Sequence, residues 1–189
     1  MLSWFRRRAE DRQRAIDLYG AIVTRARAPA IFARHGALDT PEGRAAMIIV
    51  VMFPVLERLR AGDPSDHRLA RLTTEAFVTD IDDCLREMGV GDLTVPKKVK
   101  RTAQALGERC LAYRRAMSAH KPGPALATEL EATVPGLDGN SENAEAIARF
   151  VLQLAEKLSP LAADKLRNAL AAAPDPADPL RAHQTGESS

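Results

Sequence analysis

Met47-Ile48-Ile49-Val50-Val51-Met52-Phe53 is an unbroken run of seven apolar residues inside a longer helical pattern. Seven residues make about two helical turns, so the run is apolar on every side and leaves no face for water. A bilayer crossing needs about 20 such residues, so lipid is not the enclosing medium. Other helices must surround the run, which marks a central buried helix in a bundle. Thr40-Pro41-Glu42 reads as the start of that second helix: an N-cap, a proline at the first helical position and an early acid favoured by the dipole. Pro54 falls within the pattern and removes one backbone donor, which predicts a kink or change of register. Val55, Leu56 and Leu59 carry the helix beyond it.

The rest of the 189-residue chain supplies the neighbours. Period-two alternation is nearly absent and the composition is rich in Ala, Leu and Arg, so the fold class is all-α. A first helix runs from about Arg8 to Arg27, with Ile16, Tyr19, Val23 and Ala26 at helical spacing, and Pro29 predicts a bend near Ala28. A third helix, capped by Ser65 or Asp66, runs to Met88 and stops at Gly89. Phe77, Ile81, Cys84, Leu85 and Met88 share one of its faces, while Asp80, Asp83 and Glu87 form an acidic stripe. Pro96 opens a fourth helix whose seam is Val99, Ala103, Leu106, Cys110, Tyr113 and Met117. Pro122 and Pro124 lead into a smaller C-terminal helical part: Ala125–Val134, a helix from Ser141, and a last helix from Ser159-Pro160 to about Ala172. The predicted organisation is a leader at 1–8, a helical core of four main helices at 9–121, a helical part at 122–173 and a disordered tail at 174–189.

Several chemistries find no support. Cys84 and Cys110 lie in helical patterns at apolar positions, which predicts free thiols in a reducing compartment rather than a disulfide framework. The four histidines are scattered, with no zinc-ligand spacing, and no nucleophile elbow, phosphate loop or dinucleotide fingerprint occurs. Asp80 and Asp82 resemble magnesium ligands only in isolation, because no second aspartate-rich motif faces them. No metal, cofactor or catalytic residue is expected. A net charge of +2 does not imply DNA, and the Lys97–Arg101 cluster lacks the interleaved aromatics of a nucleic-acid surface. At the N-terminus, Trp4 and Phe5 followed by Arg6, Arg7 and Arg8 suit a membrane interface, where rings sit at headgroup depth and arginines meet anionic lipid.

The most specific segment is 80–101, where an acidic helix end, a Gly-bracketed turn and a basic helix start are fused. Both charge groups oppose their helix dipoles. One reading folds Lys97, Lys98 or Lys100 back across the turn onto Asp80, Asp83, Glu87 or Asp92 as a local ion-pair network. The other leaves some of these charges for a partner. Asp82 and Arg86 are set for an i, i+4 pair.

These residues resemble the ubiquinol–cytochrome c chaperone family over about residues 12 to 120. The resemblance runs through Leu18-Tyr19, Ile22-Val23 and Arg25-Ala26-Arg27-x-Pro29, then Asp39-Thr40-x-x-Gly43-Arg44 and Leu56-x-x-Leu59. It is most specific from Phe77 through Asp80-x-Asp82-x-x-Leu85-Arg86-Glu87-Met88-Gly89-Val90-Gly91-Asp92-Leu93 to Val95-x-Lys97-Lys98-Val99-Lys100. Val51, where members often carry a histidine, and Pro54 depart from the pattern. The resemblance implies a non-enzymatic assembly factor for the cytochrome bc1 complex that binds newly made cytochrome b near the membrane and the ribosome, with a small partner protein in some members. It points to Leu85, Met88, Val90 and Leu93 as apolar contacts and to Asp80, Asp82, Glu87, Asp92, Lys97, Lys98 and Lys100 as a polar rim. Tyr19, Arg27, Asp39 and Arg44 are expected to hold the first two helices together. Such a factor would work in the cytoplasm, peripheral to the inner membrane. The competing expectation is a helical adaptor for a membrane surface or another protein.

Overall fold

The computed structural model describes residues 2–173, with side chains from Arg6 onward. The side chains of Trp4 and Phe5, and the expected disorder of 174–189, lie outside the described residues. The helices are α1 (Leu2–Ala26), α2 (Pro29–Arg34), α3 (Pro41–Arg60), α4 (Pro64–Glu87), α5 (Val95–Met117), α6 (Pro122–Thr133), α7 (Ser141–Leu158) and α8 (Leu166–Ala171), with a 3-10 turn at Ala163–Lys165. No strand occurs among the described residues, so the fold is all-α, as the sequence predicts.

The central helix is α3. Met47 through Phe53 are at most 2% exposed, and α1, α4, α5 and α7 pack around them. Pro54 is accommodated inside α3, which stays helical through Arg60. Phe53 meets Tyr113 of α5 edge to face at 5.5 Å, and the Tyr113 hydroxyl is 2.7 Å from Thr133 Oγ1 at the end of α6. Glu57 of α3 accepts two hydrogen bonds from Arg114 of α5, at 2.8 and 2.6 Å.

Capping explains where α3 and α4 begin. Thr40 Oγ1 accepts from the Gly43 amide at 3.1 Å, as the Thr40-Pro41 pair predicts. For α4 the cap is Asp63, not Ser65 or Asp66. Its carboxylate accepts from the amides of Ser65 at 2.7 Å and Asp66 at 3.0 Å, and Pro64 occupies the first helical position, where no amide is needed. Asp66 is thereby free to bind Arg58 at 3.0 Å.

The buried stripe of α1 is Ala15, Leu18, Tyr19, Ile22 and Ala26; Ile16, expected inside, is 48% exposed. Packing against both α3 and α4 selects the Leu18/Ile22 side of the helix. Asp11 reaches Arg68 of α4 at 3.2 Å and Tyr19 reaches Asp80 at 2.7 Å, so α1 and α4 run in the same direction. The C-terminal helices share the central core through Leu126, Leu130, Ile147, Val151 and Leu166. The last helix does not start at Ser159-Pro160. The chain turns there, and the Leu161 carbonyl receives Arg58 Nε at 2.6 Å before the helix resumes.

The turn between α4 and α5 distinguishes its two glycines. Gly89 has φ +73°, with its amide bonded to the Arg86 carbonyl at 2.9 Å, whereas Gly91 is not in the left-handed region. Gly89→Ala should therefore lose about 1 kcal/mol in urea denaturation, and Gly91→Ala should change stability by less than about 0.5 kcal/mol. Equal effects at the two positions would overturn this assignment.

Candidate functional site

The C-terminal half of α4 lies over the start of α3, and the two leave an open groove of about 400 Å³. Its floor is apolar: Ile81, Cys84, Leu85 and Met88 from α4 face Pro41, Ala45 and Ile48 from α3. The helical spacing of the α4 residues places all four on one side, and Ala45 leaves room for them. Charges stand at the rim: Arg27 just beyond α1, Arg44 on α3, and Asp80 and Glu87 on α4.

These charges are held differently. The Tyr19 hydroxyl donates to Asp80 Oδ2 at 2.7 Å. Burial first, and then the Asp80 carboxylate, push the Tyr19 pKa well above its ordinary value, so it remains a donor that orients Asp80. Arg44 donates to Asp39 at 2.6 Å, and this hydrogen bond holds the Asp39 carboxyl below its usual range. Arg27 and Glu87 have no ion-pair partner among the described residues. Partial burial, and then Asp80, raise the Cys84 thiol, which stays neutral and contributes apolar surface rather than a nucleophile.

Asp80, Leu85, Glu87 and Met88 thus meet at the groove. Asp82 and Asp92 instead converge on Arg86, which donates to them at 2.7 and 3.0 Å and ties the turn together. Val90 is half-buried in the turn, with its amide on the Leu85 carbonyl at 3.1 Å. Leu93 is 98% exposed. Lys97, Lys98 and Lys100 do not fold back onto the acids; they are exposed and make no ion pair among the described residues. Val95 takes the buried position at the start of α5 and turns the lysines outward.

Tyr19 joins α1 to α4, and Arg44 closes on its own helix start through Asp39, so neither ties α1 to α3 as expected. Sequence reasoning passed over Ala45 and Ile48 as groove residues, because apolar periodicity does not tell core from groove floor. No group of histidine, cysteine and acidic residues suited to a metal occurs among the described residues. Asp80 accepts from Tyr19 and Asp82 from Arg86.

The chain is an all-helical bundle with an apolar groove rimmed by charge. The family model described as "Ubiquinol-cytochrome C chaperone" matches residues 33–173, and the chain belongs to that family. The crystal structure of the Cbp3 homolog from Brucella abortus is similar at 30% identity and a TM-score of 0.75, covering 89% of this chain and 93% of that one. A search of curated proteins found no match. The family match extends through the C-terminal helices, beyond the 12–120 span of the sequence resemblance, and those helices complete the core around α3. It begins after α1.

Proposed function

We propose that this chain is a non-enzymatic assembly chaperone for the cytochrome bc1 complex, shielding an apolar segment of newly made cytochrome b in the groove between α3 and α4. The observation that carries this reading is the coincidence of the family match with the groove: all its lining residues except Arg27 fall within 33–173. A nascent membrane protein exposes apolar helices flanked by polar loops. An apolar floor with Asp80, Glu87 and Arg27 at its edges complements such a segment by hiding its side chains and selecting its flanking charges.

The chaperone works in the cytoplasm against the inner face of the membrane, with Trp4 to Arg8 as one contact and a ribosome or small partner protein nearby. Among the described residues no helix is long and apolar enough to cross a membrane.

Deleting the gene should lower haem b absorbance and bc1 activity in membranes while other respiratory complexes persist. Restoring the wild-type chain should recover both, and Leu85→Lys should not, with client capture reduced roughly tenfold or more and the folded state retained because Leu85 is only half-buried. Normal bc1 in the deletion strain would leave a helical adaptor with a different client. Full rescue by Leu85→Lys would move the binding site off the groove.

A further inference from the structure

The turn after α4 and the outward face of α5 do not belong to the groove, and their chemistry is different. Leu93, at the turn, is 98% exposed, and Leu111, further along α5, is 43% exposed. Large aliphatic side chains this open to water carry a hydration penalty that neither groove nor core relieves. Beside Leu93 stand Lys97, Lys98, Lys100 and Arg101, all exposed and without an ion-pair partner among the described residues. They occupy the first turns of α5, where the helix dipole disfavours positive charge, so folding alone gains nothing from them.

Inward positions on α5 are taken by Val95, Leu106, Tyr113 and Ala116. The opposite side carries Lys97, Arg101, Leu111 and Arg115, and the one acid of α5, Glu108, shares it. Of the acids at the end of α4 and in the turn, Asp82 and Asp92 are bound to Arg86, while Asp83 and Glu87 are exposed and make no ion pair among the described residues. The result is a cationic strip with aliphatic side chains near both ends, Leu93 in the turn and Leu111 about 24 Å along α5 from Val95 at the helical rise.

We propose that the α4–α5 turn and the outward face of α5 form a docking surface for an anionic lipid bilayer. Aliphatic side chains enter the headgroup boundary while lysines and arginines meet lipid phosphates, the pairing by which interfacial helices bind anionic membranes. A nucleic-acid strand is the poorer fit. It would call for stacking rings, and the one aromatic residue of α5, Tyr113, is buried. This surface is separate from the leader. Because α1 and α4 run in the same direction, the start of α1 lies at the opposite end of α4 from the turn, about 36 Å away.

The test is sedimentation of the full chain with phosphatidylcholine vesicles, with and without phosphatidylglycerol. Wild type should bind the anionic vesicles, release in high salt, and bind pure phosphatidylcholine weakly. Lys97→Glu/Lys98→Glu/Lys100→Glu should reduce binding to anionic vesicles roughly tenfold or more, and Leu93→Ser severalfold. The triple variant places acids where the dipole favours them, so its melting temperature should be unchanged or higher, which separates lost binding from lost fold. Arg6→Glu/Arg7→Glu/Arg8→Glu should leave most of the α5-dependent binding in place. Wild-type sedimentation of the triple variant would overturn the proposal. So would binding lost only in the leader variant, or capture of single-stranded RNA with no vesicle binding. Leu85→Lys, which alters the groove, should sediment with anionic vesicles like wild type, so failure here and failure of the groove reading are distinguishable.

Discussion

Gly43→Ala should destabilise the protein by about 3 kcal/mol and impair the groove with it. A Cβ at Gly43 would stand 1.9 Å from the Leu38 carbonyl oxygen, a backbone atom that cannot swing aside. Leu38 is itself held, because its amide donates to the Pro135 carbonyl at 2.9 Å and fastens the loop before α3 to the loop after α6. Relief therefore requires moving the first turn of α3 or breaking that loop contact. The same turn presents Pro41, Arg44 and Ala45 to the groove, so client capture should fall as stability falls. Gly107→Ala is the control: a Cβ there would meet nothing within 4 Å beyond its chain neighbours and its own helix backbone, and replacing a helical glycine should stabilise by about 0.5–1 kcal/mol. Urea denaturation of the two variants decides the matter. A Gly43→Ala protein as stable as wild type would mean that the close approach to Leu38 is not required.

Phe53→Ala should remove about 3–5 kcal/mol, because a fully buried ring is lost from the middle of the molecule and its surroundings cannot collapse on all sides. At about 2–4 °C per kcal/mol for a chain of this size, the melting temperature should fall by roughly 10 °C. The effect should not stop at α3. Phe53 supports Tyr113 of α5, whose hydroxyl reaches Thr133 of α6, and α7 packs on the same central helix. Hydrogen exchange should therefore accelerate in α6 and α7 along with α3 and α5. Retained protection in α6 and α7 would show instead that the C-terminal helices fold on their own.

The site was only partly readable beforehand. Helical spacing puts Leu85 and Met88 on one face of α4 and Asp80 and Glu87 on another, the family resemblance points to all four as contacts, and the groove brings them together. The opposite wall did not follow, since Ala45 and Ile48 belong to an apolar stretch whose floor-forming members are set by where α4 crosses. The charge pattern misled in one respect. Opposite charges on either side of a turn suggest mutual pairing, yet Arg86, already beside Asp82 by helical spacing, also takes Asp92. With Val95 buried, the lysines are carried outward.

The sequence by itself determined whatever depends on neighbours along the chain: the all-α class, the central position of Met47–Phe53, the Thr40-Pro41 cap, the Gly89 stop and the segments that carry the family resemblance. These are local because caps, glycine conformation and apolar periodicity act within a few residues. Tertiary structure alone decided which side of α1 is buried, that Tyr19 serves α4, that Asp63 rather than Ser65 or Asp66 caps that helix, and that the C-terminal helices share the central core. Each of these selects among local options of similar energy, and the selection is made by side chains that meet only after distant helices have packed.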